Sequence, residues 1–505
     1  MKNYKHVAVA ALSFSLLFGF TACKPKNAGS AVSYDAVAKV YVAPGKYDEF
    51  YNFVSGGFSG QMSTYGLPSG RLLRVIPVFS VDPEKGWGYS EETKPMLNTS
   101  HGFVPWDDLH HVQVSKTNGE YDGRWAFGNA NNTPRVARID LTTFRTAEII
   151  ELPNSGGNHS SPFITENTEY VVAGTRFSVP PDDANGDVPI NTYKQNFKGT
   201  ISFISVAKEN GAMDIAFQLQ CPGVNFDLSR AGKGVSHGWF FFSMYNTEQA
   251  NTLLEVNASQ KDKDFIMAVN WKKAEEYIKA GKGRKQSVKY AHNVYSDITH
   301  SATSTIKTEV TVLDVKDFKD LCYFFPCPKS PHGCDVSPTG EYIVGSGKLA
   351  ALIPVFSFDK LQKAIAAKDY IGEFDGVPIL KYESVLYGEV KKPGLGPLHT
   401  EFDNEGYAYT SMFVSSEIVK WNIKDLKVVD RVPTYYSVGH LTVAGGDTKT
   451  PNGKYLVAYN KITKDRYLPT GPELSQSAQL YDISGEKMQL ILDFPTIGEP
   501  HYAQI

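Results

Sequence analysis

Residues 332–344 read His-Gly-Cys-Asp-Val-Ser-Pro-Thr-Gly-Glu-Tyr-Ile-Val, and the order of chemical types in this stretch decides the fold. A histidine opens a short extended run, a Pro/Thr/Gly turn follows, and an aromatic residue begins an apolar, β-branched strand. The phrase recurs. His111 leads to Asn118-Gly119-Glu120-Tyr121, and His159 to Asn167-Thr168-Glu169-Tyr170. His399 leads to Asn404-Glu405-Gly406-Tyr407, and His440 to Asn452-Gly453-Lys454-Tyr455. From histidine to aromatic the separations along the chain are 10, 11, 10, 8 and 15 residues.

Each phrase is followed at a distance by a strand ending in Asp or Asn between apolar residues. Ile139-Asp140-Leu141, Leu313-Asp314-Val315, Trp421-Asn422-Ile423 and Tyr481-Asp482-Ile483 are the examples. Units of roughly 40 to 70 residues with four short strands are the mark of propeller blades. Helical periodicity is scarce; the clearest helix is expected near Trp271 to Ala280. The expected fold class is therefore all-β, a β-propeller of about seven blades. The long gap from His159 to His332 is expected to hold blades with insertions and no ligand.

Equivalent positions in successive blades lie at one radius and height around the propeller axis. Five histidines at one repeat position are therefore expected to converge, with His110 entering as the neighbour of His111. His101, His237, His292 and His300 lack the phrase and are read as surface or satisfied core groups. Several neutral imidazoles without thiolate or carboxylate favour copper, zinc, iron or nickel over magnesium or calcium. They are too many for one tetrahedral zinc, so the centre is expected to be polynuclear.

The rest of the sequence sets the setting for that centre. Lys2, Lys5 and His6 precede an apolar run, Val7 to Phe20, too short to span comfortably as a mature helix. It ends in Phe20-Thr21-Ala22-Cys23, a lipoprotein-type processing box. Residues 1–22 are read as a signal peptide, Cys23 as the lipidated terminus, residues 23–46 as a tether and residues 47–505 as the propeller. The expected location is the periplasm, with the membrane reached only through the lipid. An exported polynuclear all-histidine centre points to redox copper. The formal net charge of −3 and pI near 6.5, with no basic stripe, exclude nucleic acid as a partner. Five cysteines in so long a chain do not make a disulfide framework, so Cys322, Cys327 and Cys334 are read as structural, with room for one disulfide.

At this point the motifs carry a resemblance. Asp107-Asp108-Leu109-His110-His111, Gly157-Asn158-His159, Ser330-Pro331-His332-Gly333, Gly396-Pro397-Leu398-His399-Thr400, Gly439-His440 and Glu499-Pro500-His501 resemble the ligand motifs of nitrous-oxide reductases, in that family's order. The signal peptide is similar to the general-secretion branch of the family. The resemblance runs from about Tyr47 to Ile505. It implies a seven-bladed propeller in which His110, His111, His159, His332, His399, His440 and His501 hold a tetranuclear copper–sulfide cluster. There N2O takes two electrons and two protons to become dinitrogen and water, the closing step of denitrification.

The resemblance also implies roles for other residues. Lys461 is expected beside the cluster as electrostatic stabiliser or proton relay, Glu499 as its carboxylate partner, and Asp108 as the residue holding a ligand imidazole by its free N–H. A calcium site is implied at Tyr245, Glu248, the carbonyl of Val256, Asp264 and Ser330, where the family pattern has Asn in place of Ser330. The family carries a C-terminal cupredoxin domain with a binuclear copper centre, and no such loop occurs in this sequence. The sequence is accordingly read as truncated at Ile505, with His501 expected to lack the strand that follows its siblings. Implied partners are a second copy of the chain, an electron donor such as a cytochrome c or a cupredoxin, and copper-loading accessory proteins. The competing reading is a non-enzymatic exported propeller lipoprotein that binds a ligand or partner.

Overall fold

A computed structural model describes residues 34–182, 188–189, 192–246, 264–435, 438–461 and 476–505. The signal peptide, Cys23, the tether up to residue 33, Glu248 and Val256 lie outside the described residues. The same holds for the side chain of Tyr245.

Residues 332–344 fold as their sequence requires. The strand Pro331–Val336 pairs antiparallel with Tyr342–Gly347, Val336 opposite Ile343. Gly340 between them sits at φ +77°, a left-handed conformation a side chain would strain. The sheet continues through Leu352–Ser357 to Leu386–Lys391, each strand beside its predecessor. The same four-strand meander is built from Pro397–Phe402, Tyr407–Met412, Glu417–Asn422 and Val428–Pro433. Another comprises Leu441–Val443, Tyr455–Asn460, Ser477–Asp482 and Gln489–Pro495.

Two further meanders, Leu109–Thr117 to Arg145–Glu151 and Ser160–Ile164 to Met213–Cys221, are fused into one sheet. A long hairpin, Arg284–Ser296 with Ser301–Asp314, wedges between their outer strands. That hairpin and the helix Trp271–Lys279 are insertions in the expected gap. The helix is capped at its start by the Asn270 side chain, which accepts from the Lys273 N–H at 3.0 Å. A second helix, Phe358–Ala367, was not expected; Ser357 caps it and Phe358, Leu361 and Ala364 bury its inner face.

The first strands of successive sheets touch in order around a closed cycle. Leu109–Thr117 meets Ser160–Ile164, which meets Asn225–Ala231, then Pro331–Val336, Pro397–Phe402 and Leu441–Val443. Ala503–Gln504 closes the cycle, touching both Leu441–Val443 and Leu109–Thr117. His501 is therefore not followed by a missing strand: Ala503–Gln504 pairs with Phe53 and Val54 of Phe50–Ser55. The strand comes from the end of the chain and its sheet from the beginning, so linear reading did not join them.

Aromatic and aliphatic rows between the sheets form the core, with Phe203 stacked on Phe217 at 4.6 Å and Trp421 fully buried. Each such ring removed from water contributes about 1.5–3 kcal/mol. Cys221, Cys322, Cys327 and Cys334 are buried free thiols, so no disulfide occurs among the described residues. Burial pushes each thiol pKa up, which suits inert packing. No described helix is long and apolar enough to cross a membrane.

Candidate metal centre

All seven histidines singled out in the sequence are buried and brought together. The ring centroids of His110 lie 4.7 Å from His111, 4.7 Å from His159 and 3.5 Å from His501. His440 lies 5.5 Å from His111, 5.5 Å from His332, 4.9 Å from His399 and 5.2 Å from His501. One ring nitrogen from each of His110, His111, His159 and His501 falls within 4.8 Å of the others.

The first strands position these rings. Leu109–Thr117 carries the His110–His111 pair, and the Asn129 side chain accepts the His111 N–H at 2.7 Å. Ser243 Oγ donates to the carbonyl of His332. Tyr502, next to His501, packs its ring against His111, His399 and His440.

On one side, most rings are held by an oxygen at Nδ1. Asp108 Oδ2 is 2.8 Å from His110 Nδ1, the contact expected of Asp108. The Ser161 carbonyl is 3.0 Å from His111 Nδ1, and Asp335 Oδ2 is 2.8 Å from His399 Nδ1. Asp227 serves two rings: its main-chain carbonyl lies 2.5 Å from His159 Nδ1, with Oδ1 at 3.1 Å, and its Oδ2 lies 2.8 Å from His332 Nδ1. Such oxygens fix the protonated nitrogen and turn the other lone pair outward. Several ring nitrogens are orphaned: Nε2 of His110 and His111 and both nitrogens of His332 and His440 have no well-formed hydrogen bond, His332 Nδ1 meeting Asp227 Oδ2 only as a close ionic contact. A buried polar atom left unpaired is costly, and orphaned imidazole nitrogens gathered in one cluster fit a metal ion.

Burial also keeps the rings neutral. Desolvation first, and then neighbouring imidazoles or the Lys461 ammonium, push the pKa values of His110, His111, His440 and His501 well below the ordinary range. His159 and His332 are lowered chiefly by burial, against the pull of Asp227. Neutral imidazole is the form that ligates a metal.

Part-buried Lys461 reaches His501, with Nζ 3.3 Å from Nδ1 and 3.4 Å from Nε2. Burial pushes its pKa down to about 8, with Glu499 pulling the other way. Glu499 Oε1 lies 3.1 Å from His501 Nδ1. Burial raises Asp108 to about 6, against the hydrogen bond from Asn131.

A family model described as the nitrous oxide reductase propeller repeat matches residues 431–501, which include His440, Lys461 and His501. Curated nitrous-oxide reductases match nearly the whole chain. The protein of Stutzerimonas stutzeri is 33% identical over 92% of this chain and 68% of its own length. That of Pseudomonas fluorescens is 32% identical over 94% and 70%. The protein of Cupriavidus necator is 33% identical over 94% and 72%. This chain belongs to the nitrous-oxide reductase family. Its mostly-β architecture and propeller-like sheets accord with that membership.

Against this family background, residues that the sequence did not reveal stand out. Asp227 and Arg230 lie on Asn225–Ala231, the one strand of the closed cycle with no cluster histidine on it or just before it. Lys348 Nζ stands 3.0 Å from Asp227 Oδ2. The available signal was a strand, Asn-Phe-Asp-Leu-Ser-Arg-Ala, whose charged residues are buried. Of the calcium residues, Asp264 and Ser330 are adjacent: the Ser330 N–H donates to Asp264 Oδ2 at 2.8 Å. The four histidines set aside stay out of the cluster, with His292 Nε2 2.6 Å from Glu148 and His237 between Glu166 and Glu169.

Proposed function

We propose that this chain is the cluster-bearing propeller of a nitrous-oxide reductase, reducing N2O with two electrons and two protons to N2 and water. The observation that carries the reading is the convergence of seven buried histidines, several of whose ring nitrogens lack a hydrogen-bond partner. The closed cycle of first strands supports a count of seven blades around that centre. His110, His111, His159, His332, His399, His440 and His501 would hold the tetranuclear copper–sulfide cluster. When bound, it supplies the electrons and the site at which the poor ligand N2O is taken up.

The chain's own residues supply the rest. Asp108, Asp227 and Asp335 orient imidazoles through Nδ1. Lys461, its pKa pushed down to about 8 by burial, would hold positive charge beside the centre and give up a proton there. Glu499 keeps that charge at the mouth. Burial of every ring excludes water from the reacting space.

Calcium bound through Tyr245, Glu248, Val256, Asp264 and Ser330 would brace the neighbouring loop. Phe58, Phe177, Leu349 and Val414 are exposed on turns at the histidine end of their sheets. This apolar rim supports a homodimer in which a partner covers the mouth, with electrons arriving from a cytochrome c or a cupredoxin. Export to the periplasm, lipidation at Cys23 and copper delivery by accessory proteins complete the proposal. With a strong artificial reductant, chain matured in a copper-loading host is expected to consume N2O anaerobically and release N2. Fully copper-loaded chain that leaves N2O untouched would overturn the reading.

A further inference from the structure

His399 differs from its neighbours in the histidine cluster. Its Nδ1 faces Asp335 Oδ2 at 2.8 Å, so the proton sits at Nδ1 and the lone pair at Nε2. That lone pair is filled: Arg230 Nη2 lies 3.1 Å from His399 Nε2. The guanidinium is always protonated and has no acceptor, so Arg230 donates and Nε2 accepts. A copper ion at Nε2 and an N–H at Nε2 need the same electron pair.

We propose that Arg230 is a positioning residue that holds His399 in the metal-free chain and yields Nε2 when copper arrives. The proposal rests on the copper reading above. The surroundings make such a yielding step inexpensive. Arg230 Nη2 also contacts Asp335 Oδ1 at 3.0 Å, and Nη1 donates to Tyr502 Oη at 2.9 Å. Asp447 Oδ2 and Glu401 Oε1 stand at 3.5 and 3.6 Å. Loss of the His399 contact therefore leaves the buried charge paired, which an isolated buried guanidinium would not be. Asp335 is the shared element: one oxygen holds the imidazole, the other holds the arginine. The imidazole keeps its orientation as the cation beside it is exchanged.

The test is a side-chain ¹⁵N–¹H spectrum of the full metal-free chain labelled at arginine, with the buried Arg230 signal assigned by its loss in Arg230→Lys. Should that variant fail to fold, the assignment comes from the signal shifted in Asp335→Asn. Anaerobic Cu(I), with binding followed separately by competition against a chromophoric chelator, is expected to shift the Arg230 signal as copper is taken up. His399→Ala is expected to show a displaced Arg230 signal before any copper is added and little further change afterwards. Cu(I) uptake that leaves the wild-type Arg230 signal in place overturns the placeholder. Failure of the chain to bind Cu(I) at all overturns the copper reading itself, and the two failures are separated by the chelator measurement.

Discussion

Two buried polar regions lie along the first strands, and they are built on opposite principles. In the histidine cluster, burial holds the pKa values of His110, His111, His440 and His501 down, and several ring nitrogens have no hydrogen-bond partner. In the second region, Asp447 is saturated. Lys116 Nζ donates to its Oδ2 at 2.6 Å and its carbonyl at 2.8 Å, and Lys233 Nζ to its Oδ1 at 3.1 Å. Burial acts to raise the Asp447 pKa, but Lys116, Lys233 and Arg230 overcome it and hold the carboxyl well below the usual range. A region whose polar atoms are all paired is complete as folded; a region with orphaned polar atoms calls for an explanation beyond the fold. The two meet at Arg230, which is paired on both sides.

The contrast is broken most strongly by exchanging the fates of the two regions. Asp447→Ala strands Lys116 and Lys233 without their anion, while Arg230 keeps Asp335, and is expected to cost about 3–5 kcal/mol in denaturant unfolding. Copper per folded chain is expected to be unchanged in it. His440→Ala should do the reverse: both its ring nitrogens are unpartnered, so the metal-free chain keeps its melting temperature within a few degrees while copper content collapses. Equal loss of stability in the two variants would erase the distinction.

Within the histidine cluster, Asp227→Asn removes the charge that serves His159 and His332 together, and about 10- to 100-fold weaker Cu(I) binding is expected by chelator competition. Between the regions, Glu401 is fully buried, and burial raises its pKa to about 8 against the pull of Arg230. A folded pKa above the unfolded one favours the protonated form. Its contribution is thus fully present below the ordinary carboxylate range and is lost as pH rises through about 8. Glu401→Gln should therefore flatten the fall in unfolding free energy between pH 5 and pH 8, an effect read by urea titration at several pH values. The smallest effect belongs to His237→Ala, outside both regions, for which less than about 0.5 kcal/mol is expected.

The comparison also shows what sequence can carry. The hairpins were legible because their causes are local: Asn118 and Gly119 at φ 54° and 82° make a turn that Tyr121 follows at once. His111, His332 and His399 could be placed together because the repeat puts each at the start of its sheet. Asp227, Asp335 and Arg230 were not legible, since their meaning depends on rings far along the chain. Arg230 meets His399 across 169 residues, and nothing near either residue announces the other. The closing strand Ala503–Gln504 was missed for the same reason, its partner being Phe53–Val54.

The orphaned nitrogens of the histidine cluster are proposed to hold a copper–sulfide centre. Its most direct test is copper, zinc and acid-labile sulfide quantified together on the full chain, purified without oxygen from a copper-loading host. About four coppers with sulfide per chain, lost together in His332→Ala, is the result expected if the chain holds the cluster proposed from its family. Zinc in place of copper, or copper without sulfide, would contradict it.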